Sequence, residues 1–281
     1  MSFFFTKSTI EYLKRYEPIG TRDLETKALM EQNGIKSYFS SCLTLTLGMK
    51  YKSAHKTDNI YFVDPEYEKY NGCVGIGMKI RYIINSICYG VFSFKQIRRI
   101  SKKMFESIDP QGNKRIQDRV RNFIKASTFY QTYSTLFEKE TLLNADFIQH
   151  DVPQSLFKSE DEKMDYAKNL LHKYASAKYV VTSRIHAALP CLGVETPVLF
   201  VTTDELENGD FRVNGRFGGN LEMLNVLRID GRKVDIMTPA LKERIGNSKI
   251  GQRTKFENPK VYTKFRDELI STVKRFVSNN Q

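Results

Sequence analysis

The stretch VVTSRIHAALPCLGVETPVLFV, residues 180–201, decides the fold class of this chain. It begins with an apolar strand, turns through a polar corner into a short helix that ends near Gly193, and passes Pro197 into a second apolar strand. Strands that are apolar on both faces and alternate with helices are typical of parallel sheets covered by helices on each side. We therefore predict an α/β fold with a doubly wound parallel sheet.

The same alternation extends on both sides of this stretch. A helix is predicted to begin after Ser159, with Glu162 three residues later as in a capping box, and a second helix ends the chain. Nearer the N-terminus, a helical pattern runs from Leu24 to Gln32 and stops at the turn Asn33-Gly34. Further strands are predicted at 35–39, 60–66 and 145–151.

Composition excludes several classes of protein. With 281 residues and 41% hydrophobic content, the chain can bury one large core or two modest ones. The start MSFFFTKSTI lacks the pattern of a signal peptide, and the longest apolar run, at 83–94, is shorter than the roughly 20 residues that span a bilayer. We therefore expect a cytoplasmic protein.

Cysteine spacing gives no metal or disulfide framework. The four cysteines lie far apart, form no Cys-x-x-Cys pair and have no histidine at ligand spacing: Cys42, Cys73, Cys88 and Cys191. We predict reduced thiols, no metal and no cofactor.

The formal charge of +12 is concentrated in one segment. Between Lys79 and Lys125 the sequence has twelve lysines and arginines against three acids, a surplus of nine, and the segment is predicted to be helical with a break near 109–113. Such a block favours an anionic partner: a membrane surface, an acidic glycan or nucleic acid. A solvated helical face is the alternative. Because no nucleic-acid motif is present, we favour peripheral attachment to an anionic membrane.

The polar corner at 182–186 carries the candidate chemistry. Ligands of open α/β sheets collect at the carboxyl ends of strands, where helix N-termini present unpaired N–H groups. Thr182 or Ser183 can cap the helix, Arg184 can hold a phosphate or carboxylate through two hydrogen bonds, and His186 can exchange a proton near neutral pH. For an isolated Arg-x-His tripeptide, a buried histidine beside a surface arginine is the more common interpretation.

The longer stretch AKYVVTSRIHAALPCLGVETPVLFV, residues 177–201, closely resembles the signature of the polysaccharide pyruvyl transferase family. In that family a strand runs into an Arg-x-His helix start, followed by small residues, Gly and Pro. Four other patches are similar to the family in the same order: PIGTRD (18–23), GIKSYFSSCLTLTL (34–47), FIQHDVP (147–153) and RFGG (216–219).

The resemblance implies a reaction and a set of residues. A pyruvyl group passes from phosphoenolpyruvate to a pair of sugar hydroxyls of a glycan acceptor as a ketal, and phosphate is released. Arg184 and His186 fall on the family's arginine and histidine, which implies an anion clamp and an acid/base. Ser183 is expected to supply a neutral donor. Further substrate-binding candidates on similar positions are Arg22, Asp23, His150 and, more loosely, Arg216. Asp23 is equally consistent with a helix cap and His150 with a packing role, whereas His55 and His172 match nothing.

The chain also departs from the family pattern. Members are similar to two-domain enzymes of the GT-B type, in which the Thr-Arg-Asp patch comes late in the first domain, yet only 20 residues precede Thr21 here. We therefore expect 1–57 to be a remnant of an N-terminal Rossmann-like half and 58–281 to be the C-terminal Rossmann-like domain, which contains the basic segment 79–125. Two rival functions stay open: a GT-B glycosyltransferase that uses a nucleotide sugar, and a non-catalytic descendant that binds glycan or membrane.

Overall fold

A computed structural model describes residues 5–68, 76–106, 115–150, 152–203 and 217–279. The strands are β1 (Ile19–Thr21), β2 (Ser37–Phe39), β3 (Ile60–Val63), β4 (Asp146–Ile148), β5 (Tyr179–Thr182), β6 (Val198–Thr202), β7 (Asn225–Asp230) and β8 (Lys233–Ile236). The α-helices are α1 (Lys7–Lys14), α2 (Leu24–Gln32), α3 (Gly48–Tyr51), α4 (Ile76–Phe92), α5 (Phe94–Ser101), α6 (Ile116–Tyr133), α7 (Lys139–Asn144), α8 (Glu160–Ser176), α9 (Ile185–Gly193), α10 (Pro239–Ile245) and α11 (Val261–Asn279).

Six strands form the central sheet, in the order β4-β3-β5-β6-β7-β8. The first five run parallel, and β8 pairs antiparallel with β7 through a hairpin in which Asp230 faces Lys233. This mostly parallel, Rossmann-like sheet confirms the predicted α/β class. The antiparallel edge was not predicted. Gly231 allows the tight turn because its φ of +57° lies in the left-handed region, which glycine adopts without strain.

Helices cover both faces of the sheet because alternate strand residues point to opposite sides. On one side Phe62 and Val181 belong to a core that includes buried residues of α5 and α6. On the other side Val63 and Val180 pack in a second core with residues of α9 and α11. The predicted helix start at Ser159 is confirmed, since its hydroxyl accepts the N–H of Glu162 at 3.2 Å.

A second, two-stranded parallel sheet is formed by β1 and β2. Asn220 joins it to the larger unit: its side-chain amide donates to the Arg22 carbonyl at 2.9 Å and its oxygen accepts from the Ser41 hydroxyl at 2.8 Å. Residues 43–51 in turn pack against α9 at a glycine contact, where a Cβ on Gly193 would lie 2.5 Å from the Thr44 carbonyl oxygen. The domain boundary expected after residue 57 stays a prediction.

Apart from Ser93 and Arg115, the described residues of the basic segment are helical. It comprises α4, α5, a π-helical turn at Lys102–Glu106 and α6. The break predicted at 109–113 lies outside the described residues. Within the described part of the chain, no helix is both long and apolar enough to cross a membrane.

Candidate active site

A cleft of about 620 Å³ lies at the carboxyl ends of β3 and β5, facing the segment that links β1 to α2. This is where open α/β sheets bind ligands. Its lining includes six of the seven residues predicted from the sequence: Arg22, Asp23, His150, Ser183, Arg184 and His186. The seventh, Arg216, lies outside the described residues. One cavity thus gathers candidates from three distant parts of the sequence.

The corner between β5 and α9 is built by short-range hydrogen bonds. Arg184 itself is the N-cap residue of α9, and its backbone N–H donates to the Thr182 hydroxyl at 3.0 Å. The prediction that Thr182 or Ser183 caps the helix is therefore wrong, because Arg184 occupies the N-cap position and the helix begins at Ile185. The Ser183 hydroxyl instead donates to the backbone carbonyl of Asp64.

Asp64 ties the ends of three neighbouring strands together. Its carboxylate oxygen Oδ2 accepts the backbone N–H of His150 at 3.0 Å and the guanidinium Nε of Arg184 at 3.2 Å. Only 14% of this side chain is exposed, against 56% for Arg184. The backbone of Asp64 has a φ of +40°, a conformation that is rare outside glycine and is frequent at functional sites. Asp64 thereby fixes the direction of the arginine that lines the cleft.

His150 is held in a half-buried position beside this carboxylate. Its Nε2 lies 2.6 Å from the hydroxyl of Tyr174, a buried residue of α8. Burial lowers the pKa of His150 below its ordinary value. The charge of Asp64 raises this pKa, whereas the charges of Arg184 and His186 lower it further. Burial also raises the pKa of Tyr174, so that its phenol stays protonated. His150 is accordingly a neutral hydrogen-bonding group near pH 7.

His186 is the second residue of α9 and is exposed to the cleft. The remainder of the helix, from Ala187 to Gly193, is buried in the core behind it. This packing fixes the helix, so the first turn presents His186 and the backbone N–H groups at a defined place. A proton donor beside a positive helix end suits an anionic substrate.

The comparison with known families agrees with this arrangement. A family model described as polysaccharide pyruvyl transferase matches residues 2–205. The chain belongs to this family. Neither the curated proteins nor the solved structures contain a significant match to this chain. Membership places the chain among enzymes that act as pyruvyl transferases in polysaccharide biosynthesis, and it implies a glycan acceptor.

In this pyruvyl transferase, Arg22 and Asp23 form the opposite wall of the cleft. Asp23 is the N-cap of α2, and its Oδ1 accepts the N–H of Thr26 at 2.7 Å. The helix-cap alternative for Asp23 is therefore observed. The Arg22 side chain is exposed, and its backbone carbonyl is held by Asn220. Arg22 and Arg184 thus bring two cations to one cavity from separate chain segments.

The sequence alone missed Asp64, Glu66 and Asn220, all of which line the cleft. Asp64 carries the clearest signal, since it directly follows an apolar strand and precedes a proline. Asp64 instead lies within the strand predicted at 60–66, and the structure ends that strand at Val63. His55 and His172, which match nothing in the family, are exposed and lie outside the cleft lining.

Proposed function

We propose that the cleft binds phosphoenolpyruvate and transfers its pyruvyl group to two hydroxyls of a glycan, forming a ketal and releasing phosphate. Family membership supports a pyruvyl transfer to a glycan. The observation that carries the choice of donor is the meeting of Arg184 and His186 at the end of β5, where an anion clamp and a proton donor serve one ligand. The reaction needs no cofactor.

Two arginines and a helix end suit the donor's charges. Phosphoenolpyruvate carries a phosphate and a carboxylate on the same carbon atom. Because Asp64 accepts from Nε of Arg184, the two terminal nitrogens keep their hydrogens for a second acceptor. Arg22 and the N–H groups of the first turn of α9 offer donors to the other anionic group. Ser183 has its hydroxyl hydrogen on the Asp64 carbonyl, so its role is to hold the corner.

The proposed chemistry begins with protonation. His186 gives a proton to the C3 methylene of phosphoenolpyruvate, and the positive charge that develops at C2 is met by the first sugar hydroxyl. The bond between C2 and the phosphate oxygen then breaks, and the second hydroxyl adds to C2. Of the two hydroxyl protons released, one restores protonated His186 and the other leaves on hydrogen phosphate. The products are a pyruvyl ketal and phosphate.

In this scheme His150 and Asp64 help to position the donor anion. The neutral His150 adds no further positive charge beside Arg184, and Asp64 keeps the guanidinium from turning toward solvent. The pair therefore defines where the donor anion lies relative to His186. We assign neither residue a proton-transfer step.

The direct test is product formation. Purified protein is incubated with phosphoenolpyruvate and a panel of polysaccharide fragments or lipid-linked sugars, and phosphate release is measured together with the ketal methyl signal by NMR. We expect both products in equal amounts with at least one acceptor. Turnover that requires a nucleotide sugar would instead identify a glycosyltransferase, and binding of glycan without turnover of either donor would identify a non-catalytic protein.

A further inference from the structure

The helix α4 differs from an ordinary surface helix, because its buried positions hold small residues and its large apolar residues are exposed. Of its side chains that the structure describes, only Ser86 and Gly90 are buried. The Ser86 hydroxyl lies 2.9 Å from the Thr128 hydroxyl of α6, and the Ser127 hydroxyl donates to the Ser86 carbonyl at 2.6 Å. A Cβ on Gly90 would lie 2.6 Å from the Phe123 ring, so α4 approaches α6 closely through its small residues.

Another face of α4 is apolar and exposed. Its members recur at intervals of three and four residues, which places them along one side of the helix. We call this set the α4 stripe: Ile80, Ile83, Ile84, Ile87 and Val91, with exposures of 52%, 45%, 51%, 41% and 65%. Phe92 at the end of α4 and Phe94 at the start of α5 are also exposed, by 91% and 52%. A contiguous apolar surface of this kind marks a site of interaction.

Exposed cations lie on α4 itself and on the two helices that pack against it. They come from α4, α5 and the start of α6: Arg81, Lys95, Arg98, Arg115, Arg119 and Arg121. Among the side chains that the structure describes between 77 and 125, Asp118 is the one acid. Phe94 of α5 packs on Phe123 of α6 with ring centroids 5.7 Å apart, and Gly90 of α4 approaches the same ring, so the three helices that carry these cations meet near the end of α4.

We propose that this surface docks on an anionic phospholipid bilayer, with the α4 stripe in the boundary between headgroups and acyl chains. An interfacial helix combines an apolar face with flanking lysine and arginine, as α4 and its neighbours do. A second copy of the chain is a poorer occupant, because it would bring the same positive surplus against this one. Nucleic acid would match the cations but leave the isoleucines uncovered. The proposal stands independently of the reaction proposed above.

Co-sedimentation with vesicles tests the proposal. The full chain is mixed with vesicles of phosphatidylcholine alone or with phosphatidylglycerol added, at low and at high salt. We expect binding to the anionic vesicles at low salt and a loss of at least about tenfold in the apparent partition constant at high salt or without anionic lipid. The triple variant Ile80→Gln, Ile84→Gln, Val91→Gln and the variant Arg81→Gln, Lys95→Gln, Arg98→Gln should each bind at least about tenfold more weakly.

A matched control replaces isolated exposed apolar residues far from the stripe in sequence: Leu43→Gln, Leu156→Gln, Met164→Gln. It should bind vesicles like the unchanged protein, and circular dichroism should show that all three variants fold. The proposal is overturned if the protein does not bind anionic vesicles at low salt. It is also overturned if the Ile80/Ile84/Val91 variant and the Arg81/Lys95/Arg98 variant both bind as strongly as the unchanged protein. A dimer in light scattering that the stripe variant converts to a monomer, without vesicle binding, would assign the surface to a second copy.

Discussion

The helices α9 and α4 differ in whether their apolar residues are buried or exposed. In α9 every residue from Ala187 to Gly193 is buried, and the helix lines the cleft with Ile185, His186 and Leu189. In α4 the described buried positions are Ser86 and Gly90, and the isoleucines face outward. Both helices are rich in apolar residues, so composition does not distinguish them. The difference lies in which face the neighbouring elements cover.

This contrast separates a site inside the protein from a surface directed outward. Burial fixes α9, and the hydrogen bonds of Asp64 fix the polar corner in front of it. Among the described residues the α4 stripe is exposed, and its removal from water by a partner would be favourable. The first arrangement suits chemistry, which needs fixed groups. The second suits docking.

The largest expected effect is on turnover. His186→Gln removes the proposed acid from the first turn of α9 and should lower turnover by roughly 10²- to 10⁴-fold without loss of folding. Phosphate release from phosphoenolpyruvate measures it. The control is His55→Gln, since His55 is an exposed histidine outside the cleft lining. Near-normal turnover of the His186 variant would remove His186 from the mechanism.

The next effect is on stability and compares the two helices directly. Gly193→Ala in α9 would place a methyl group 2.5 Å from the Thr44 carbonyl oxygen and 2.9 Å from that of Leu45, and this backbone cannot move aside freely. We expect a loss of about 1–3 kcal/mol in the free energy of unfolding. Gly77→Ala in α4 meets no described atom within 4 Å and should add about 0.5–1 kcal/mol. Urea denaturation measures the free energy of unfolding of both variants. Equal changes in the two would contradict the proposed difference in packing between α9 and α4.

A smaller effect is expected from His150 and concerns pH. Burial lowers the pKa of His150 in the folded protein, so below about pH 6.5 the unfolded chain binds the proton more readily. Stability should therefore fall as the pH drops below this value, and His150→Gln should abolish that part of the dependence. Thermal melting at pH 7.5 and 5.5 measures it, with His55→Gln as control. Parallel pH profiles of the unchanged protein and His150→Gln would show that burial does not disfavour the charged ring.

The sequence was sufficient for the sheet class and for much of the cleft. Alternating apolar strands and helices predicted the parallel sheet, and the turn Asn33-Gly34 ended α2 at Gln32 as observed. The position of a residue at a strand end was enough to predict that Arg184 and His186 lie at the carboxyl edge of the sheet, where both line the cleft. These features depend on local patterns, which a sequence records.

Features that depend on neighbours in space were missed. The role of Asp64 follows from the adjacency of β3 and β5, which lie more than a hundred residues apart in the chain. The sequence showed the apolar run of α4, but not that Ser86 and Gly90 would take the inner face. The β7–β8 hairpin did carry a local signal, the Asp-Gly pair at 230–231, and could have been predicted from it.

The central claim, that the corner of β3 and β5 binds the donor anion, is tested most directly by calorimetric titration with phosphoenolpyruvate. Arg184→Lys keeps the positive charge but cannot reproduce a two-point contact while bonded to Asp64, so we expect the Kd to rise at least about tenfold. Arg244→Lys, at an exposed arginine of α10, should leave the Kd unchanged. If Arg184→Lys binds phosphoenolpyruvate as tightly as the unchanged protein, the donor anion does not lie at this corner.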